Sequence, residues 1–225
     1  QGDWSSDVCS SDLNPYVTAT DAQAAGYLTV FPCGSPQPGT SNVNYTTSGA
    51  TPNQVTVGVG SSSSVCVFSS ASTHVILDVA GSWSTSGTAT AVPMAPRRLW
   101  DTRGQGGPLS AGSTLRVTVP GSGPAVSLNV TATDVTQTGY VTAWPCDSSQ
   151  PTVSNLNPAP GVTKPNHVTV AVGASRQVCL FTSGRTNLIV DQTGDWAGSG
   201  SGSLASLSSP ARTMDTRTMG NRAKL

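Results

Sequence analysis

The sequence predicts an all-β protein made of tandem antiparallel β-sandwich repeats, immunoglobulin-like or jelly-roll-like, with about seven to eight strands per unit. Three observations carry this expectation. The chain repeats itself: Gly26-Tyr-Leu-Thr-Val-Phe-Pro-Cys33 returns 113 residues later as Gly139-Tyr-Val-Thr-Ala-Trp-Pro-Cys146, and residues 18–83 laid over 131–196 share 32 of 66 positions without a gap. Apolar residues alternate with period two in short segments closed by Gly, Pro, Asn and Ser, with no helical stripe. The composition is rich in Thr, Ser, Val and Gly, which favours strands and turns.

Along the chain, residues 1–13 have no identity with 114–126 and resemble the in-frame translation of a DNA-sequencing adapter. Agreement begins at Val17 and Val130 and persists. Residues 14–83 therefore form the first repeat, N-terminally truncated because nothing in it corresponds to 96–126. Residues 84–95 are small and polar and read as a linker. Residues 96–196 form a complete second repeat, which opens with Pro96-Arg-Arg-Leu-Trp-Asp-Thr-Arg103. Its strands are expected from the Asp-Thr-Arg segment, from Leu115 to Val119, Val126 to Ala132, Tyr140 to Trp144, Val153 to Leu156, Val168 to Val172, Val178 to Phe181 and Leu188 to Val190. Residues 197–209 are a Gly/Ser linker. Pro210-Ala-Arg-Thr-Met-Asp-Thr-Arg217 repeats the opening motif, so 210–225 reads as the start of a truncated third repeat.

The cysteines sort by the same offset. Cys33 and Cys66 are 33 apart, as are Cys146 and Cys179, and Cys9 is left over. Isolated pairs at long spacing, with no Cys-x-x-Cys and no paired histidine, read as one disulfide per repeat in an oxidising compartment; the alternative is buried free thiols.

Charge and motifs exclude several function classes. Charged residues make up 10 per cent of the chain and the formal net charge is zero, so there is no basic footprint for nucleic acid. No apolar run reaches the length of a membrane span. No nucleophile elbow, zinc-binding helix or phosphate loop is present. The two histidines are not kept between copies: His74 aligns with Asn187 and His167 with Gln54. A catalytic role shared by the repeats would need the same group twice. The sequence thus predicts neither enzyme activity nor a cofactor nor a metal site.

Two polar or aromatic patterns remain. Arg98, Asp101 and Arg103 recur as Arg212, Asp215 and Arg217, and read as a structural charge clamp that pins the first strand to the sheet, with Asp191 or Asp78 as a further partner. The competing reading is a calcium or ligand site, which lacks the clustered carboxylates calcium needs. Tyr140, Thr142 and Trp144 share one strand face and form a possible ligand face for sugar stacking, with Tyr27 and Phe31 as counterparts. The small Ala143 favours an inward Trp144, so the expectation is a buried Tyr140–Trp144 pair packed with Val168, Val170 and Leu188, and Val141 and Ala143 facing solvent.

The succession Pro-x-Arg-x-x-Asp-Thr-Arg, Leu128-Asn-Val-Thr-Ala-Thr133, Gly-Tyr-Val-Thr-Ala-Trp-Pro-Cys, Val168-Thr-Val-Ala-Val-Gly173, Val178-Cys-Leu-Phe181 and a final Asp-x-x-Gly-x-Trp resembles a tandem repeat of secreted actinobacterial cell-surface proteins. The resemblance spans residues 14 to about 220. It implies an extracellular or cell-surface module and carries no assigned active site. The chain departs from the pattern at Gln192-Thr193, where the first copy has Val79-Ala80. The expected function is a non-catalytic structural spacer or surface adhesion domain. The alternative is a carbohydrate- or cell-wall-binding module attached to a secreted hydrolase. Expected partners are cell-wall or extracellular polysaccharide, or neighbouring repeats.

Overall fold

A computed structural model describes residues 12–60, 63–84, 89–197 and 203–215, and among them every regular element is a strand. In chain order these are β1 (Asp12–Thr20), β2 (Gly26–Pro32), β3 (Val43–Tyr45), β4 (Thr51–Gln54), β5 (Val65–Ser69), β6 (His74–Ser84) and β7 (Thr90–Asp101). They continue with β8 (Ser113–Thr118), β9 (Ala125–Thr133), β10 (Val141–Pro145), β11 (Lys164–Ala171), β12 (Gln177–Thr182), β13 (Asn187–Ala197) and β14 (Ser203–Asp215). All pairings between them are antiparallel and form four sheets, ordered β14-β6-β1-β4, β3-β2-β5, β11-β9-β13-β7 and β10-β12-β8.

Alternation gathers apolar side chains on a shared face of each strand. Val126, Leu128, Val130 and Ala132 of β9, Val168 and Val170 of β11 and Leu188 and Val190 of β13 meet Val141 and Ala143 of β10, Val178 and Leu180 of β12 and Val117 of β8 in one apolar cluster. The first half builds a smaller cluster from the matching positions, including Val17, Ala19, Leu28, Val30, Val75 and Leu77. Burial of such side chains contributes about 1.5 to 3 kcal/mol each before conformational entropy is subtracted.

The sequence pattern shared by the halves is explained by repeated backbone bonds. Asn155 accepts the Ala143 amide through Oδ1 at 2.6 Å, while its own carbonyl accepts Asn166 Nδ2 at 2.6 Å. Asn42 makes the same pair of bonds with the Val30 amide and Asn53 Nδ2, both at 2.7 Å. Each of these asparagines joins a strand of the three-stranded sheet to an edge strand of the four-stranded sheet, which gives buried amides their partners. Thr73 Oγ1 donates to the Thr20 carbonyl as Thr186 Oγ1 donates to that of Thr133. Asp21 and Asp134 both close their strands in the left-handed region, at φ of 52° and 50°. Gly139 begins the Gly-Tyr motif because a Cβ there would come within 2.6 Å of the Gly184 amide.

The expected strand boundaries need four corrections. Strand β7 starts at Thr90, so half of the stretch expected as the 84–95 linker is strand, and β14 starts at Ser203, inside the 197–209 linker. Adapter-like Asp12 and Leu13 lie in β1, opposite Trp83 and Ser82. Val153 to Leu156 makes only the single bridge Val141↔Leu156 instead of a strand.

The first repeat also differs from expectation. It lacks a counterpart of 96–126, yet the place beside β6 that corresponds to β7 is taken by β14, which carries the recurring Pro210-Ala-Arg-Thr-Met-Asp215 motif. No described strand takes the place of β8, so β5 is the last strand of its sheet. The consequence is visible in burial: Cys179 and Leu180 of β12 are buried, whereas their counterparts Cys66 and Val67 of β5 are only half-buried.

Candidate functional site

Both expected disulfides are present, Cys33–Cys66 and Cys146–Cys179, each with a Cα–Cα distance of 5.0 Å. The bond links neighbouring strands of the three-stranded sheet near its end, since Phe31 pairs with Cys66 and Trp144 with Cys179 in register. Such bridges fit an oxidising environment.

The aromatic strand reverses the expected orientation. Val141 and Ala143 belong to the core, and Tyr140 is 39% exposed. Trp144 is buried, as expected, but on the outer side of its sheet, where its Nε1 donates to the Ser148 carbonyl at 3.1 Å. The physical reason is volume: on the inner side Ala143 stands opposite Leu180 and close to Leu156, so branched chains from neighbouring strands already fill the space an indole would need. Thr142 offers no polar edge to a ligand, because it is fully buried with its hydroxyl donated to the Val153 carbonyl at 2.6 Å.

What remains of the possible ligand face is a pair of rings. Tyr140 packs against Phe181 with centroids 5.7 Å apart, tilted by 44°. The first half repeats this pair as Tyr27 and Phe68, at 5.9 Å and 49°. In both, the tyrosine amide is held by a serine hydroxyl at 2.8 Å, Ser183 or Ser70, so the ring starts from a fixed backbone. Phe181 and Phe68 were not singled out in the sequence; their signal was the Val-Cys-x-Phe motif, in which Phe lies on the same strand face as the disulfide cysteine's partner ring.

Tyr140 also borders a cleft of about 570 Å³ between the two halves. Its floor and walls are Thr18, Ala50 and Ile76 from the first half and Gln150, Val153 and Asn157 from the second. The cleft exists because the halves pack together beside it. Tyr16 of β1 is fully buried and joins the apolar cluster of the second half, its hydroxyl donating to the Thr169 carbonyl at 3.4 Å. Burial pushes its ionisation well above the usual tyrosine range. Gln54 Oε1 accepts the Thr169 amide at 3.0 Å, and Lys164 Nζ reaches the Ala50 carbonyl at 3.1 Å. Both backbone polar groups of Thr169, on the outermost strand of its sheet, are thus met by side chains of the first half.

The structure brings Arg98, Asp101, Arg103 and Asp191 together. Arg98 is paired to both Asp191, across the β7–β13 ladder, and Asp101 at 2.8 Å, while Arg103 bonds Asp101 at 2.7 Å. The Arg103 side chain holds the Asp101 carboxyl down to about 2. The arginines are half exposed, so solvent screens these pairs and they add little to stability. The clamp orients the start of the loop after β7 more than it stabilises the sheet.

The departure at Gln192 has a partner. Gln192 is buried, and its Oε1 accepts Nε and an Nη of Arg97 at 3.1 and 2.7 Å. In the first half the same ladder position holds Val79 opposite Ala211. The strand therefore continues through Gln192-Thr193-Gly194-Asp195-Trp196 and ends with Trp196 Nε1 bonded to Ser127 Oγ at 3.0 Å.

Among the described residues no three His, Cys, Asp or Glu side chains gather as metal ligands, and no helix is long and apolar enough to cross a membrane. Comparison with known proteins returns no matching family model, no matching curated protein and no matching solved structure.

Proposed function

We propose that this chain is a segment of a non-catalytic extracellular array of tandem β-sandwich repeats, each a four-stranded sheet packed on a three-stranded one, serving as a structural spacer or surface adhesion domain. The observation that carries the reading is the join between the halves. Tyr16 lies wholly inside the neighbouring unit's apolar cluster and Gln54 caps that unit's outermost strand, so two successive repeats are held at a set angle and do not swing on a linker. A spacer needs that property, because its reach depends on a fixed angle between successive units. Several polar residues common to both repeats support the same reading: the hydroxyls of Thr29, Thr142, Thr73 and Thr186 and the side-chain carbonyls of Asn42 and Asn155 are bonded to backbone groups. The disulfides, which fit an oxidising environment, and the resemblance to secreted cell-surface repeats support an extracellular reading.

The test is small-angle X-ray scattering of the chain and of Tyr16→Ala, each with unit folding checked by circular dichroism. The spacer reading expects one compact scattering profile for the chain and a broadened, more extended distribution for the variant. Unchanged scattering in a folded Tyr16→Ala would refute it.

A second reading, a carbohydrate- or cell-wall-binding module, is favoured by the Tyr140–Phe181 pair at the cleft rim. Retention of the chain on insoluble peptidoglycan or polysaccharide, lost in Tyr140→Ala, would support it. Trp144→Ala is the weaker probe because the indole is buried.

A further inference from the structure

The places taken by β7 and β14 are the same place. Strand β7 lies along β13 with Trp196↔Ala91, Asp195↔Val92, Gly194↔Pro93, Gln192↔Arg97, Asp191↔Arg98, Val190↔Trp100 and Ile189↔Asp101. Strand β14 lies along β6 with Trp83↔Leu204, Ser82↔Ala205, Gly81↔Ser206, Val79↔Ala211, Asp78↔Arg212, Leu77↔Met214 and Ile76↔Asp215. Every acceptor residue is the repeat equivalent of the other, and the donors correspond through Ser206 and again, one residue on, from Ala211. Both ladders slip at the same two places, after the glycine and one step beyond the arginine.

Yet the two strands reach this place by different routes. Strand β7 follows β6 in the chain but leaves it to pair with β13 of its own repeat, whereas β14 follows β13 and returns to pair with β6, more than a hundred residues earlier. The end strand of a repeat is therefore a receptor that accepts an opening-motif strand from a distant part of the chain. Its register is set by backbone pairing and by the bulges, neither of which depends on the donor being in the same molecule. The two donors differ at the register position where Arg97 lies opposite Gln192 and Ala211 opposite Val79.

We propose that β14 is a donor strand and β6 its receptor, and that a second copy of this chain can supply the donor, joining molecules by strand exchange. Exchange preserves every ladder bond and changes only which molecule provides it, so concentration decides between the closed monomer and the linked form. Two molecules that trade strands reciprocally form a dimer, and one-way donation forms a chain of molecules.

Thiols at the register pair Ser82 and Ala205 report the contact. In a Cys9→Ser background, Ser82→Cys/Ala205→Cys refolded at high dilution and mildly oxidised should give the intrachain 82–205 bond; its absence would show that β14 does not sit on β6. Ser82→Cys and Ala205→Cys chains, mixed while unfolded and refolded together, should give a disulfide-linked heterodimer. Its share should rise with concentration and exceed that from Ser206→Cys, one residue out of register, by about tenfold. Crosslinking no better than that control would overturn interchain exchange. Should the thiols disturb folding, a labelled peptide of residues 203–217 refolded with the unmodified chain provides the same test. Its co-elution, weakened by Ala211→Arg, is expected, and its complete separation from the chain would overturn the proposal.

Discussion

Replacing Tyr16 by alanine removes a side chain that belongs to one repeat by sequence and to the other by packing. Its hydroxyl bond to Thr169 is long, at 3.4 Å, and contributes little; the ring is what fills space. Truncating a fully buried aromatic costs about 3 to 5 kcal/mol when the cavity does not collapse. That cost should fall on the contact between repeats, because the core of the first repeat is the separate cluster of Val17, Leu28 and Val75. The assay is hydrogen exchange by mass spectrometry with denaturant titration. In the unaltered chain β1, β4 and β11 should share one opening free energy. In Tyr16→Ala, exchange at β4 and at Thr169 should accelerate by about a hundredfold or more, since each 1.4 kcal/mol is a factor of ten, while β12 and β13 keep their protection. Tyr16→Phe, which keeps the ring, should cost less than about 1 kcal/mol. A loss below about 1 kcal/mol for Tyr16→Ala, with exchange at Thr169 unchanged, would show that the ring does not couple the repeats.

Three further outcomes are expected. Replacing Cys146 and Cys179 by alanine should lower stability in denaturant titration by about 3 to 4 kcal/mol, through the greater freedom of the unfolded loop. Asp101 ionises lower in the folded chain than in the unfolded one, so its contribution is complete above the ordinary carboxylate range and disappears as pH falls from about 4 towards 2; Asp101→Asn should flatten that part of the thermal stability profile, and an unaltered acid limb would refute the assignment. Gln192→Val should cost no more than about 1 kcal/mol, because Arg97 is exposed and regains water when it loses Gln192, and a double-mutant cycle with Arg97→Ala would measure the coupling between them.

Most of the strands, the disulfide pairs and the duplication were legible in the sequence alone, because each is written in local periodicity or in spacing repeated at one offset. Val126, Leu128 and Val130 must share a face in any strand, and cysteines equivalent in two copies must have equivalent partners. The clamp of Arg98, Asp101, Arg103 and Asp191 was legible for the same reason: in a nearly uncharged chain, few opposite charges are available to meet. Alternation did not say which face of β10 turns inward, since both faces carry apolar residues. The tertiary structure decided it through the volume that Leu156 and Leu180 already occupy. The role of Asn155 as a tie between sheets, the burial of Tyr16 in its neighbour and the return of β14 to β6 were likewise hidden, because each depends on groups far apart in the chain whose meeting no local pattern encodes. Periodicity decides what a strand can bury, and the space left by its neighbours decides what it does bury.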